Sequence, residues 1–312
     1  MRANMNVDKK QGDFYYRIEE KGISITGYDG KESELSLPRR IEERPVYKIA
    51  KKAFLSRKNL SEAVLPDTIE VLEEWAFAYC SNLEKVCFPK KKLSLGKGIF
   101  FSCWALREIC CEERENGGAE KETGHISEKK GEHPWRLLGA APVVMDAEYL
   151  LTPWEAEEEH WIEKWDAKLL ALLQEEDEEG YSKVVLCGEE DLHVNLEEFI
   201  KEKRRKKARM ALIRLGNPYR LKETMKEKLL AFVQEHTKGC ESEATWEVVK
   251  LHGEERIYFE IFTETGCLTE ENFDAVLEDI GQAYAEMKAY FMRYKEEHMK
   301  KEDFFDSLSL DF

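Results

Sequence analysis

Between Lys51 and Pro89 the order of apolar and polar positions repeats with a step of 23 residues. Ala53-Phe54 returns as Ala76-Phe77, Asn59-Leu60 as Asn82-Leu83, and Leu65-Pro66 as Phe88-Pro89. Phe54, Phe77 and Phe100 form one column at this step, and Leu60, Leu83 and Leu106 a second. Ala63, Val86 and Ile109 form a third, Leu65, Phe88 and Cys111 a fourth, and Leu72 with Leu95 a fifth. In each unit a few alternating apolar positions read as a short strand. The proline that follows cannot donate to a ladder and ends it. A turn and a short apolar return, which holds the phenylalanine, complete the unit. No single unit buries these columns alone, but stacked units bury them as one continuous core. The pattern predicts parallel strands near 34–37, 60–65, 83–88 and 106–111, with the phenylalanine column inside.

The phrases IAKKAFLSRKNLSEAVLP and LEEWAFAYCSNLEKVCFP resemble the BspA-type leucine-rich repeat. The resemblance covers residues 46–111 and extends back to about residue 23, where Leu35, Leu37 and Pro38 look like an earlier strand. Pro38 to Pro66 spans 28 residues, which places a five-residue insertion around Arg44-Pro45. Lys52 and Trp75 stand where the family often has a smaller residue. Ala105 replaces the asparagine and no proline follows Cys111, which marks a terminal unit. The resemblance implies a right-handed solenoid with a parallel sheet on one face, and binding rather than catalysis.

The outer face of that sheet follows from strand alternation. With Ala63 and Leu65 inward, Glu62 and Val64 point outward, followed by Lys85 with Cys87 and Glu108 with Cys110. Glu62, Lys85 and Glu108 form a column of alternating sign, favourable across strands. These six residues are the candidate protein-binding surface, and an ordinary solvated ladder is the plainer reading of the same pattern. Cys87 and Cys110 are expected here as accessible, neighbouring, reduced thiols. The chain shows no export signal and no C-x-x-C pair, so neither a disulfide framework nor a zinc site is expected.

Residues 112–133 carry many charges and no apolar period, and read as a linker between a solenoid (1–111) and an all-α domain (134–312). Trp161, Trp165, Leu169 and Leu172 lie at helical spacing and read as core. Asn195, with Glu198 at the capping-box position, opens a further helix. That helix carries Lys203, Arg204, Arg205, Lys206, Lys207 and Arg209, the one place where nucleic acid or another anionic partner could bind. No aromatic residue interleaves with the run, which disfavours single-strand stacking. Helices are expected at 221–236, 242–250 and 254–265, then a pair meeting near Gly281. That pair faintly resembles an ankyrin helix pair. The helical half as a whole is similar to uncharacterised domains that follow BspA-type repeats in gut Firmicutes proteins, which implies no activity.

The chain has 312 residues and a net charge of −16, and such a charge repels phosphate backbones. It contains no apolar run of membrane-spanning length, and its first residues show no apolar signal core, so a cytoplasmic location is expected. No Walker loop, G-x-G-x-x-G, G-x-S-x-G or H-E-x-x-H is present. Cys187 and His193 are the single pair that would support a cysteine hydrolase, a third reading behind protein binding and anionic-partner binding. No cofactor or metal is expected. The oligomeric state and the partner's identity are left open.

Overall fold

The computed structural model describes residues 8–112, 133–182 and 195–299. The architecture is α+β: a parallel-sheet solenoid of about four turns, followed, among the described residues, by eight helices. The strands are β1 (Lys9–Gln11), β2 (Phe14–Ile18), β3 (Ile23–Tyr28), β4 (Glu34–Ser36), β5 (Arg40–Ile41) and β6 (Arg44–Ile49). They continue with β7 (Glu62–Val64), β8 (Val71–Leu72), β9 (Lys85–Pro89), β10 (Ser94–Leu95) and β11 (Glu108–Glu112).

β4, β7, β9 and β11 form one parallel sheet, with Ala63 opposite Val86 and Val86 opposite Ile109. Leu35 pairs with Ala63 across the longer first step. The extra residues of that step make a hairpin: β5 pairs antiparallel with β6 through a turn at Glu42 and Glu43, both at positive φ. Paired positive-φ residues match the twist of a two-residue hairpin. A second sheet runs β3-β6-β8-β10 in parallel, preceded by the antiparallel strands β1 and β2, which cover its first edge. Covering an edge in this way blocks strand addition by another chain. β8 and β10 have two residues each, too few to show a period in sequence.

The inward columns fill the space between the sheets. Phe54, Phe77 and Phe100 are buried and stacked, with centroids 4.8 and 5.9 Å apart along the column. The turn backbones stack as well: Phe54 N–H donates to Ala76 O at 2.8 Å, and Phe77 N–H to Ile99 O at 3.0 Å. The thiols of Cys80 and Cys103 donate to the carbonyls of Phe54 and Phe77, each at 3.1 Å. Asn59 donates to the carbonyl of Glu32 at 2.7 Å and so satisfies backbone of the preceding coil.

The helices are α1 (Trp135–Val143), α2 (Glu159–Gln174), α3 (Leu196–Gly216), α4 (Glu223–Glu235), α5 (Ala244–Leu251), α6 (Arg256–Glu264), α7 (Phe273–Ile280) and α8 (Ala285–His298). The chain divides into two compact units. The first lies within Met1–Ala171 with Asn217–Arg220, and the second within Leu172–Gly216 with Leu221–Phe312. α1 and most of α2 therefore group with the solenoid. In the first unit α1 packs on β11. Gly139 makes the close approach, since a Cβ there would sit 2.9 Å from the Arg107 carbonyl. A solenoid's last coil needs such a cover for its apolar columns.

In the second unit α3 packs on α4, α5 and α6. Its start is capped as the sequence predicts, with the Asn195 side chain accepting from Glu198 N–H at 2.7 Å. Trp246, Phe262 and Phe291 form a buried aromatic cluster. Among the described residues no helix is long and apolar enough to cross a membrane.

Candidate interaction surfaces

On the first sheet, Glu62 and Lys85 pair at 3.4 Å, both half-buried, as the alternating column predicts. The neighbouring column does not behave as expected. Ser36 is exposed, Val64 half-buried, Cys87 buried at 7% exposure and Cys110 fully enclosed. Burial deepens towards β11 because that strand is covered by α1 and by the 3-10 turn Pro153–Glu155. Cys87 and Cys110 are joined in a disulfide, Cα to Cα 4.6 Å, which corrects the expectation of accessible, reduced thiols. The physical reason is the register: the same alternation position on adjacent parallel strands brings their Cβ atoms together, and the helical cover removes them from solvent. Of the six sheet-face residues, Glu62, Val64, Lys85 and Glu108 remain partly exposed.

The basic run of α3 is consumed within its own unit. Lys207 is buried and pairs with Asp177 at 2.8 Å, and Arg204 meets the same carboxylate at 2.6 Å. Lys203 reaches the carbonyls of Glu176 and Glu179 and the carboxylate of Glu175. Arg205 bridges Glu202 and Glu247. Arg209 donates to the Tyr258 hydroxyl at 3.3 Å, and Lys206 also has an interaction partner. Burial raises the cost of the Asp177 charge, yet hydrogen bonds from Lys207 and Arg204 hold its carboxyl below the ordinary range. Lys203, Arg204 and Lys207 thus form a ladder onto the acidic stretch 175–179, while Arg205 and Arg209 turn to α5 and α6. Cys187 and His193 lie outside the described residues. No group of three or more metal-ligating side chains occurs among the described residues.

A further surface, outside the inward columns, stands on the turns of the solenoid. Trp75, Tyr79, Phe101 and Trp104 are all exposed, Phe101 at 52% and Trp104 at 66%. Trp75 stacks on Phe101 with centroids 6.0 Å apart, and Tyr79 meets the edge of the same ring at 5.4 Å. Lys52 lies over Trp75, 5.1 Å from its centroid. Turn hydrogen bonds hold the coils in place here, Tyr79 N–H to Phe101 O at 2.7 Å and Trp75 N–H to Lys97 O at 3.0 Å. Lys52, Trp75 and Gly98 occupy one position of successive coils, and all have φ near +60°. Gly98 N–H is further held by the Glu148 carboxylate at 2.7 Å, next to the exposed Tyr149. The signal in sequence was the large residue at Trp75, where the family often has a small one.

Residues 34–117 match the family model described as BspA type leucine rich repeat region, six copies. This part of the chain is a BspA-type leucine-rich repeat region. Among solved structures, the repeat region is similar to a leucine-rich repeat protein of T. pallidum, at 30% identity over 32% of this chain and 49% of that one, with a TM-score of 0.31. It is also similar to a leucine-rich cell surface protein of Faecalibacterium prausnitzii, at 23% identity over 34% and 30% of the two chains, with a TM-score of 0.30. A leucine-rich repeat protein of Bacteroides ovatus matches at 23% identity over 33% and 29%, with a TM-score of 0.31. The chain thus spans less than half the length of the T. pallidum protein. No curated protein matches the chain. Leucine-rich repeat proteins are generally protein-interaction modules and typically not enzymes.

Proposed function

We propose that this chain is a non-enzymatic protein-interaction module that contacts its partner through the aromatic turn face of the repeat region. The observation that carries the reading is the exposure of Trp75, Tyr79, Phe101 and Trp104 on neighbouring coils, three of them in ring contact. Trp and Tyr are the side chains most enriched where binding energy concentrates. A contiguous exposed aromatic patch costs solubility and is rarely kept on a surface that contacts nothing. The sheet face, with Glu62, Val64, Lys85 and Glu108, is the lesser proposed contact, because its remaining column is buried beneath α1.

Site-specific photocrosslinking tests the choice. A benzophenone amino acid at position 104 is expected to trap a discrete polypeptide from the native cell, and the same probe at position 64 to trap little. The trapped band should vanish when Trp75 and Phe101 are changed to alanine. Equal labelling from both positions, or labelling indifferent to the two alanines, removes the turn-face reading.

A further inference from the structure

The turn face is cationic on an acidic chain. The three turn segments 51–58, 74–81 and 97–104 carry Lys51, Lys52, Arg57, Lys58 and Lys97 against Glu74, and the Glu73 and Glu148 carboxylates reach the same face on the Lys51 and Gly98 N–H groups, which still leaves cations in excess while the whole chain stands at −16. Lys51 is paired with Glu74 at 2.6 Å. Lys52, Lys58 and Lys97 are exposed, and Lys52 lies on the Trp75 ring. Lys58 occupies in the first coil the position that Trp104 occupies in the third. Aromatic rings therefore occupy the second and third coils, with Lys52 and Lys58 on the first and Lys97 at the start of the third.

We infer that the ligand of this face is an acidic peptide segment bearing aromatic or large aliphatic side chains, whose carboxylates meet Lys52, Lys58 and Lys97 while its apolar groups pack on Trp75, Phe101 and Trp104. The inference rests on the turn-face reading above and adds the partner's chemistry. Charge complementarity selects it. A second copy of the chain would bring lysines against lysines and one strongly negative body against another. Single-stranded nucleic acid also favours cations with aromatics. Its phosphates recur at every nucleotide, however, and continue past the patch onto the acidic body, where they are repelled. A short peptide confines its few carboxylates to the lysine rim.

Selection of a random-dodecapeptide display library on the full chain, with selected peptides then titrated by fluorescence anisotropy, tests this. The expected result is enrichment of peptides holding Asp or Glu beside Phe, Trp or Leu. Affinity should fall about tenfold for F101A/W104A and by a similar factor for K52Q/K58Q/K97Q, the scale of one lost anchor. Raising salt should weaken binding of the acidic peptides, and replacing their Asp and Glu by Asn and Gln should do the same. All the substituted side chains are exposed, and thermal unfolding of each variant verifies that it folds. Patch-dependent peptides without acidic residues would overturn the inference and leave the turn-face reading standing. Peptides insensitive to both variants would overturn the two together. Tighter binding of an oligothymidylate than of the best acidic peptide, lost in F101A/W104A, would assign the face to nucleic acid instead. Concentration-dependent dimerisation abolished by F101A/W104A would assign it to a second copy.

Discussion

Phe54 and Phe77 lie face to face, their planes 5° from parallel and their centroids 4.8 Å apart, although 23 residues separate them in the chain. Phe100 continues the stack on the far side of Phe77. The middle ring therefore has a neighbour on each side and no solvent contact. Phe77→Ala should destabilise the solenoid by about 3–5 kcal/mol, the range for emptying a packed phenylalanine site. Urea unfolding followed by the solenoid's own signal measures it, and an unchanged midpoint would show that the column is not a core. Phe77→Leu refills most of the volume and should cost clearly less.

Gly98 is a coil position where a side chain meets two obstacles at once. Its φ is +62°, and an added Cβ would lie 3.0 Å from the Trp75 ring. Gly98→Ala should cost about 1–2 kcal/mol for the left-handed backbone alone. Tryptophan fluorescence should shift as Trp75 is displaced. A midpoint equal to that of the parent would refute the assigned turn geometry. Lys52 and Trp75 already carry this backbone strain at φ +62° and +61°, so the first two coils tolerate what the third avoids.

The repeat columns were legible because each inward position recurs once per coil, and the burial of Phe54, Leu60, Ala63 and Leu65 follows from that recurrence alone. The capping Asn195 was legible for a local reason, a side-chain acceptor three residues before a free N–H. The fate of Cys110 was not. Alternation placed it outward, and only the packing of α1 and of the Pro153–Glu155 turn, both well beyond it in the chain, encloses it. Lys207 escaped for the same reason, since its partner Asp177 is distant in sequence and a basic run gives no hint of which acid will meet it. The aromatic turn face lay outside the inward columns, where recurrence is silent and a departure such as Trp75 is the sole clue.

The disulfide closes a loop between residues 23 apart. Non-reducing peptide mapping should recover the Cys87–Cys110 pair, with Cys80, Cys103 and Cys267 as thiols. C87A/C110A should lower stability by about 3 kcal/mol, as loop-closure entropy for such a span suggests. Stability equal to the parent's, or recovery of both residues as thiols from protein kept at its native redox state, would refute the bridge.

Burial raises the Cys267 thiol to about 11, and Cys103 is likewise pushed up, first by its hydrogen bond with Cys80 and then by burial. Such thiols hold almost no thiolate at neutral pH and are shielded as well. Iodoacetamide should therefore modify the half-exposed Cys240 in the native protein well before Cys103 or Cys267. Mass mapping after a short pulse reads the order. Equal labelling of Cys240 and Cys267 would mean that the α6–α7 connection opens readily.

Asp177 joins Lys207 and Arg204, and its removal tests whether the basic run belongs to the fold or to a ligand. Lys207 is buried, so Asp177→Asn leaves its ammonium with neutral carbonyl acceptors, that of Glu175 among them, and no counter-ion at that position. The loss should be about 1.5–3 kcal/mol, the scale of hydrogen bonds to charged groups. Lys207→Met, which removes the charge with its desolvation cost, should be milder. The pH dependence has a fixed sign. The folded carboxyl titrates below the unfolded value of roughly 4, so its contribution is present in full above that value. It is lost as pH falls through the folded value, and D177N should lack that part of the acid transition. If D177N and the parent lose stability in parallel from neutral pH down to full protonation, the ion pair contributes nothing and the basic run must be held by other contacts.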